Sequence, residues 1–350
     1  MLWRMEILIN IENTSLTGLG DIPFPSSDAM RAQTLVARCP VAAVTPLESA
    51  PAIATEAGVT SVWIKDERGR MGLGSFKALG AAYVIATAAQ EGDISASTYV
   101  TASAGNHGMS VAAGASAFGA ASVVYIAQTV PDSFAARLQE QGAHVIREGA
   151  TYEDSMAAAQ AAAVANDWTL LSDSSWSGYT SLPHRLMEGY LVLMAEAISQ
   201  VTSPPTHIFL QAGVGGLACA CAVLARQAWG RAPKIIIVEP DLAAALFGSI
   251  AAGQATKACG AVSDMGRLDC KMPSLIALKG LARDADVFAT ITEAEGQVGA
   301  GLSMVAGFAS TPSGAAGISG LLALDADQRG TLGLDAQSRV LCILSEGPGA

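Results

Sequence analysis

Three short segments combine glycine with side chains able to act as nucleophile, base or hydrogen-bond donor, each where an apolar β-like run gives way to a helix-like one. LGSFKALGA at 73–81 sets Lys77 early in a helix expected to begin near Ser75, after Gly72 and Gly74 and among Phe76, Ala78 and Leu79. Desolvation by such neighbours disfavours the ammonium, lowers the pKa and yields a usable nucleophile or base. A lysine that snorkels to solvent from a helix start fits the same residues. TASAGNHG at 101–108 follows Tyr99–Val100 and precedes the helical stretch Met109–Phe118. Its Ser103, Ala104, Gly105, Asn106 and His107 gather hydroxyl, amide and backbone N–H donors at a helix N-terminus, a seat for a carboxylate or an ordinary capped turn. QAGVGGLACA at 211–220 ends the strand-like HIFLQ and opens a helix through Gly213, Val214, Gly215, Gly216 and Leu217. Glycines allow backbone N–H groups to converge on a phosphate, although such a turn also serves packing alone. Neither GxGxxG spacing nor a GK(S/T) ending is present, which argues against dinucleotide and ATP sites.

The elements that must position these segments read as α/β, with β-branched runs alternating with alanine-rich helical stretches. Expected strands are Ser61–Lys65, Ser122–Ala127, Ala143–Arg147, Trp168–Ser172, His207–Gln211, Lys234–Val238 and Arg339–Leu344. Pro131–Gln141, Tyr152–Asn166 and Leu182–Ser199 are expected helices. The short, regular units between Tyr99 and Leu171 suggest a small domain over 96–179, leaving 1–95 and 180–350 as a discontinuous large domain. The two prolines of TSPPTH at 202–207 mark a connector. The first 45 residues are irregular, and no chemistry is assigned to them. Open sheets of this class bind ligands at the carboxyl ends of their strands, where all three segments fall.

Composition narrows the partners. The chain has 350 residues, 51% hydrophobic and 15% charged, with a net charge of −11. That length supports a two-lobed unit with a large core, and the acidic balance disfavours nucleic acid. No stretch is apolar enough for a membrane span, and MLWRMEILINIE is too interrupted for a signal peptide. Cys39, Cys219, Cys221, Cys259, Cys270 and Cys342 form no CxxC pair and mostly lie in apolar runs, so they read as small buried hydrophobes of a reduced, cytoplasmic protein. His144, His184 and His207 are scattered, and no catalytic metal site is indicated.

In combination and in this order, the three segments resemble the tryptophan-synthase-like, fold type II family of pyridoxal 5′-phosphate enzymes. The likeness is strongest to the diaminopropionate ammonia-lyase branch. KDERGRMGLGSFKALG at 65–80, GNHG at 105–108, SDSSWSGYTSLP at 172–183, MEGY at 187–190, THIFLQAGVGG at 206–216, IIVEP at 236–240 and LSEG at 344–347 carry it. The resemblance implies that Lys77 holds the cofactor as a Schiff base with Phe76 against the ring. It also implies that Ser103–His107 take the substrate carboxylate while Asn106 faces the phenolic oxygen, and that Gly213–Leu217 hold the phosphate. Ser345 would meet the pyridine nitrogen. A neutral hydroxyl there makes the cofactor a weaker electron sink and favours direct expulsion of a β-group; Ser345 also reads as a polar strand end. Asp173 is the matching candidate acid for the leaving group, with a helix N-cap as its other reading. His107 is expected to be structural. Three departures bear on the substrate: Ala104 stands where the branch often has an acidic residue, Thr311 replaces the glutamate of an ESGA segment, and the chain ends three residues after Gly347. The expected reaction is β-elimination on a small amino acid, most simply 2,3-diaminopropionate, by a homodimer. A dehydratase of serine, threonine or hydroxyaspartate and a non-catalytic binding module are the alternatives.

Overall fold

The computed structural model describes residues 5–10 and 16–349. Of the segments read above, 1–4 and 11–15 of the irregular start and the terminal Ala350 lie outside the described residues.

Among the described residues, eleven strands form two sheets: β1 (Glu6–Ile9), β2 (Leu47–Ser49), β3 (Ser61–Asp66), β4 (Thr98–Ala102), β5 (Ala121–Ile126), β6 (His144–Arg147), β7 (Thr169–Leu170), β8 (His207–Gln211), β9 (Lys234–Pro240), β10 (Val287–Ile291) and β11 (Arg339–Leu344). The larger sheet runs β1-β10-β9-β8-β11-β3-β2, and the smaller β6-β5-β4-β7. The five inner strands of the larger sheet are parallel, and only the edges β1 and β2 are antiparallel. β8 and β10 are buried at every position, which explains their unbroken apolar sequences, since a parallel sheet is covered on both faces. On one face, the helix Ser181–Gln200 packs between Lys77–Glu91 and Gly216–Trp229. On the other, Ala316–Ala323 packs against β8, β9, β10 and β11.

Several expected boundaries shift. β1, β2 and β10 were not anticipated; β1 and β2 are short edge strands, and the region around β10 lacks a turn signal that would isolate it from the helix before it. Trp168–Ser172 contracts to the two residues of β7: Leu171 N still donates to Val100 O at 2.8 Å, but Ser172 N turns from the sheet to the Tyr179 hydroxyl. The Lys77 helix is Lys77–Glu91, starting two residues later than expected. The helix after β4 is Asn106–Ala117, three residues earlier, so Asn106 and His107 occupy its first turn. Cysteine burial also divides: Cys219, Cys221 and Cys342 are buried, Cys39 and Cys270 only partly, and Cys259 is exposed, contrary to a uniformly buried set.

Candidate active site

All the singled-out segments leave the carboxyl ends of parallel strands. The Lys77 segment follows β3 and is laced to the end of β11: Phe76 N donates to Ser345 O at 3.1 Å and Gly347 N to Gly74 O at 3.0 Å. The neighbouring turn is built from charge. Arg70, only 1% exposed, donates to Glu67, to Glu196 of the Ser181–Gln200 helix at 2.7 Å and to Thr45, while Lys65 donates to Glu196 at 2.7 Å. Such a network fixes the approach of the chain to Lys77 because leaving any member unpaired would strand a buried charge.

The segment after β7 brings Asp173 to the same place. Tyr179 stacks on Trp176 with centroids 4.3 Å apart, and its hydroxyl donates to Leu170 O at 2.8 Å and accepts from Ser172 N at 3.1 Å. Ser175 Oγ meets Ser274 Oγ at 2.7 Å and accepts from Ile276 N, and Ser274 N donates to Val214 O at 3.0 Å. This chain of bonds ties the Asp173 segment to the glycine turn. Asp173 caps no helix: its carboxylate accepts a hydrogen bond from Lys77 Nζ.

The electrostatics follow from that ion pair. Burial alone would lower the Lys77 pKa, but the Asp173 carboxylate outweighs it and holds the ammonium well above its ordinary value, reversing the expected depression. Burial would raise Asp173, yet the Lys77 charge beside it holds the carboxyl well below the usual range. His107 is lowered chiefly by burial, and its Nε2 lies 2.8 Å from Leu171 O, a contact that joins two segments of the smaller sheet and suits a structural histidine.

Ser103 Oγ accepts from Gly105 N at 3.2 Å, shaping the loop before the helix Asn106–Ala117. Ala104 is half-buried against the apolar cluster that includes Met109 and Leu138. Asn106 donates to Glu346, which also receives the Thr311 hydroxyl, and burial is the main cause of a raised Glu346 pKa. Asn106 Oδ1 is buried with no partner among the described residues. At the turn after β8, Gly215 has φ 96°, which favours glycine, and a Cβ there would meet Ala277 and Leu246 at 3.1 Å. Its requirement is therefore backbone conformation and packing, a reason different from open approach to a phosphate. Gly213 is confined from another side: a Cβ would lie 3.0 Å from Cys270 Sγ and 3.2 Å from Arg267 O. Ser345 is buried at the end of β11. Among the described residues, no cluster of three or more His, Cys, Asp or Glu side chains could hold a metal.

Sequence reasoning passed over Glu346, Tyr190, Cys270 and Arg267. Glu346 and Tyr190 lie inside the motifs LSEG and MEGY, so position in a motif was the available signal. Arg267 lies against Gly105, its NH1 3.0 Å from where a Cβ would stand, and stacks over Phe134 with 5.4 Å to the centroid. It thereby joins the large-sheet side to the Ser103–His107 loop. Burial raises Cys270 to about 12, so this thiol beside the glycine turn stays protonated.

The residues present fit pyridoxal 5′-phosphate. A cradle of glycines opens a helix, a buried amide oxygen has no partner among the described residues, a largely buried lysine amine pairs with a carboxylate, and a hydroxyl ends the strand between them. That arrangement on two sheets of mainly parallel strands defines a fold type II pyridoxal-phosphate enzyme. Residues 40–346 match the family of pyridoxal-phosphate dependent enzymes, and the chain belongs to it. The diaminopropionate ammonia-lyase of Salmonella typhimurium is 30% identical over 349 residues, covering 89% of this chain and 86% of that one. The crystal structure of the Escherichia coli diaminopropionate ammonia-lyase with an aminoacrylate-PLP azomethine reaction intermediate superimposes with TM-score 0.88 at 28% identity, covering 98% of this chain and 94% of that one. The mouse L-serine dehydratase/L-threonine deaminase is 30% identical over 200 residues, 56% of each chain.

Proposed function

We propose that this enzyme eliminates the β-amino group of 2,3-diaminopropionate as ammonia and that water then releases the α-amino nitrogen of the resulting aminoacrylate as a second ammonia, leaving pyruvate. The meeting of Lys77 and Asp173 across the two sheets carries the reading. Pyridoxal phosphate, when bound, supplies the sink for the electron pair left as the substrate loses its α-proton. Lys77 would hold it covalently, Gly213, Val214, Gly215, Gly216 and Leu217 would surround its phosphate, Phe76 would lie against the ring, Asn106 would meet the phenolic oxygen and Ser345 the ring nitrogen.

Ser103, Ala104, Gly105, Asn106 and His107, at the positive end of the helix Asn106–Ala117, bind the substrate carboxylate. The Lys77 amine, exchanged for that of the substrate, takes the α-proton. An ionised Asp173 has no proton to give, so its acid role needs a source. The Lys77 ammonium in contact with it is that source: the proton passes from Lys77 to Asp173 and on to the departing nitrogen. We assign the residues 96–179 to a small domain that brings the carboxylate loop to this pair, and the remainder to the large domain. Family likeness supports a homodimer. Six cysteines without a disulfide agree with a cytoplasmic location, and no helix among the described residues is long and apolar enough to cross a membrane.

A dehydratase acting on serine, threonine or hydroxyaspartate is the second reading, favoured by Ala104 and by the mouse relative. Ammonia release measured across L- and D-diaminopropionate, serine, threonine and hydroxyaspartate separates the two. The L-isomer, whose α-proton faces Lys77, should be preferred. Equal rates on both enantiomers would remove the stereochemical assignment, and faster release from a hydroxyamino acid would favour the dehydratase.

A further inference from the structure

Tyr190 occupies a position made for it. Gly80 lies inside the helix Lys77–Glu91, where glycine is unfavourable by about 1 kcal/mol relative to alanine. The reason is contact: a Cβ at Gly80 would stand 2.7 Å from Tyr190 Cε1 and 2.8 Å from Leu186 Cγ. The ring is held edge-on against Phe76, with centroids 4.9 Å apart, and Lys77 Nζ lies 5.8 Å from its centroid. Tyr190 is 1% exposed, yet its hydroxyl completes no hydrogen bond of normal length among the described residues, and the Lys77 amine, which lies near enough to act on it electrostatically, is engaged by Asp173. A phenylalanine would fill the same space without stranding a polar atom, and an unsatisfied buried hydroxyl is unfavourable. The hydroxyl therefore points to a neighbour that becomes free to bond it during function.

We propose that the Tyr190 hydroxyl is the hydrogen-bond partner of the Lys77 nitrogen whenever Asp173 does not hold it as an ion pair, both in the linkage to the cofactor and after the substrate has displaced the amine, making Tyr190 the residue that positions the base. Once exchanged for the substrate amine, Lys77 is neutral and no longer held by charge to Asp173. A phenol beside it then restrains the amine, keeping its lone pair directed at the α-carbon before the proton moves. Burial raises the Tyr190 pKa, so the group remains a neutral hydroxyl that can both donate and accept. Asp173, His107, Cys270 and Glu346 are the other titratable groups that interact with the Lys77 charge.

The inference rests on the β-elimination reading, and its test is Tyr190→Phe in the holoenzyme. For loss of a hydrogen bond to a charged or developing charge, kcat on L-diaminopropionate should fall about 10–10²-fold. KM should stay within about threefold, because ground-state binding is untouched. The isotope effect with α-deuterated substrate should rise. An absorbance titration of the Lys77–cofactor linkage needs no turnover, and its midpoint should fall by about one pH unit. The melting temperature should hold or rise. Wild-type kcat, isotope effect and titration midpoint in the variant would overturn the proposal, as would a marked loss of thermal stability, which would give the hydroxyl a purely structural role. A wild-type holoenzyme that releases no ammonia from any amino acid of the panel would defeat the elimination reading, while the titration would still decide Tyr190.

Discussion

Replacing Asp173 with asparagine keeps the shape of the side chain and removes its charge and its capacity to carry a proton. Loss of a positioned acid lowers turnover by about 10²–10⁴-fold, or about 3–5 kcal/mol on the barrier. The ion pair itself has a second, separable readout in the cofactor-free protein. Breaking a buried pair is destabilising by about 3–5 kcal/mol; with the Lys77 and Asp173 side chains 20% and 17% exposed, solvent screening reduces this to about 2 kcal/mol. For 350 residues the unfolding entropy is about 0.7 kcal/mol/K, so the melting temperature should drop by about 3 °C. Asp173 is depressed in the folded state, so its contribution is present above the unfolded value of 3.8 and is lost as pH falls through the folded one. Lys77 is raised, so its contribution is present below 10.5 and lost as pH rises through its folded value. The difference between wild type and variant should therefore be constant through the neutral range and close at both extremes. Ammonia release gives kcat, and thermal melts from acid to alkaline pH give the stability window, with the absorbance of the bound cofactor expected to change little. Turnover within about threefold of wild type would refute the acid assignment and leave Lys77 or the cofactor phosphate as donor. A melting difference that grows steadily across the neutral range would refute the ion-pair argument.

Lys77→Ala should abolish turnover in a folded protein, since it removes both the covalent anchor and the base; substantial residual ammonia release would contradict the assignment. Gly215→Val should weaken cofactor retention by forcing a β-branched residue to φ 96° against Ala277 and Leu246, and equilibrium dialysis that finds unchanged affinity would place the phosphate elsewhere. Glu196→Gln should destabilise the protein by about 3–5 kcal/mol because Arg70 and Lys65 lose a shared buried carboxylate. Chemical denaturation measures it, and a variant as stable as wild type would show that the network adds nothing to the fold.

Several site features were legible because they are local. A strand followed by glycines and a helix, as at Gly213–Gly216, or a helix start rich in donors, as at Ser103–His107, is specified by neighbouring residues whose backbone conformations constrain one another. Lys77 was legible for the same reason, although its charge state was misjudged: apolar neighbours in sequence implied a depressed pKa, whereas a carboxylate 96 positions away raised it. The charged KDERGR stretch gave no hint of burial, because what neutralises Arg70 and Lys65 is Glu196 on a distant helix.

By itself the sequence determined the parallel α/β character and the family, and it singled out Lys77 and the glycine-bearing turns as the candidates for its site, each encoded in periodicity or in a turn a few residues long. Tertiary structure alone decided that Asp173 reaches Lys77, that Glu346 receives Asn106 and Thr311, and that the Tyr190 hydroxyl is stranded beside the base. Parallel strands need long crossovers, so neighbours such as β3, β11 and β8 are far apart along the chain. The side chains gathered at their carboxyl ends become partners only when the sheets assemble, and no short window of sequence contains both members of such a pair.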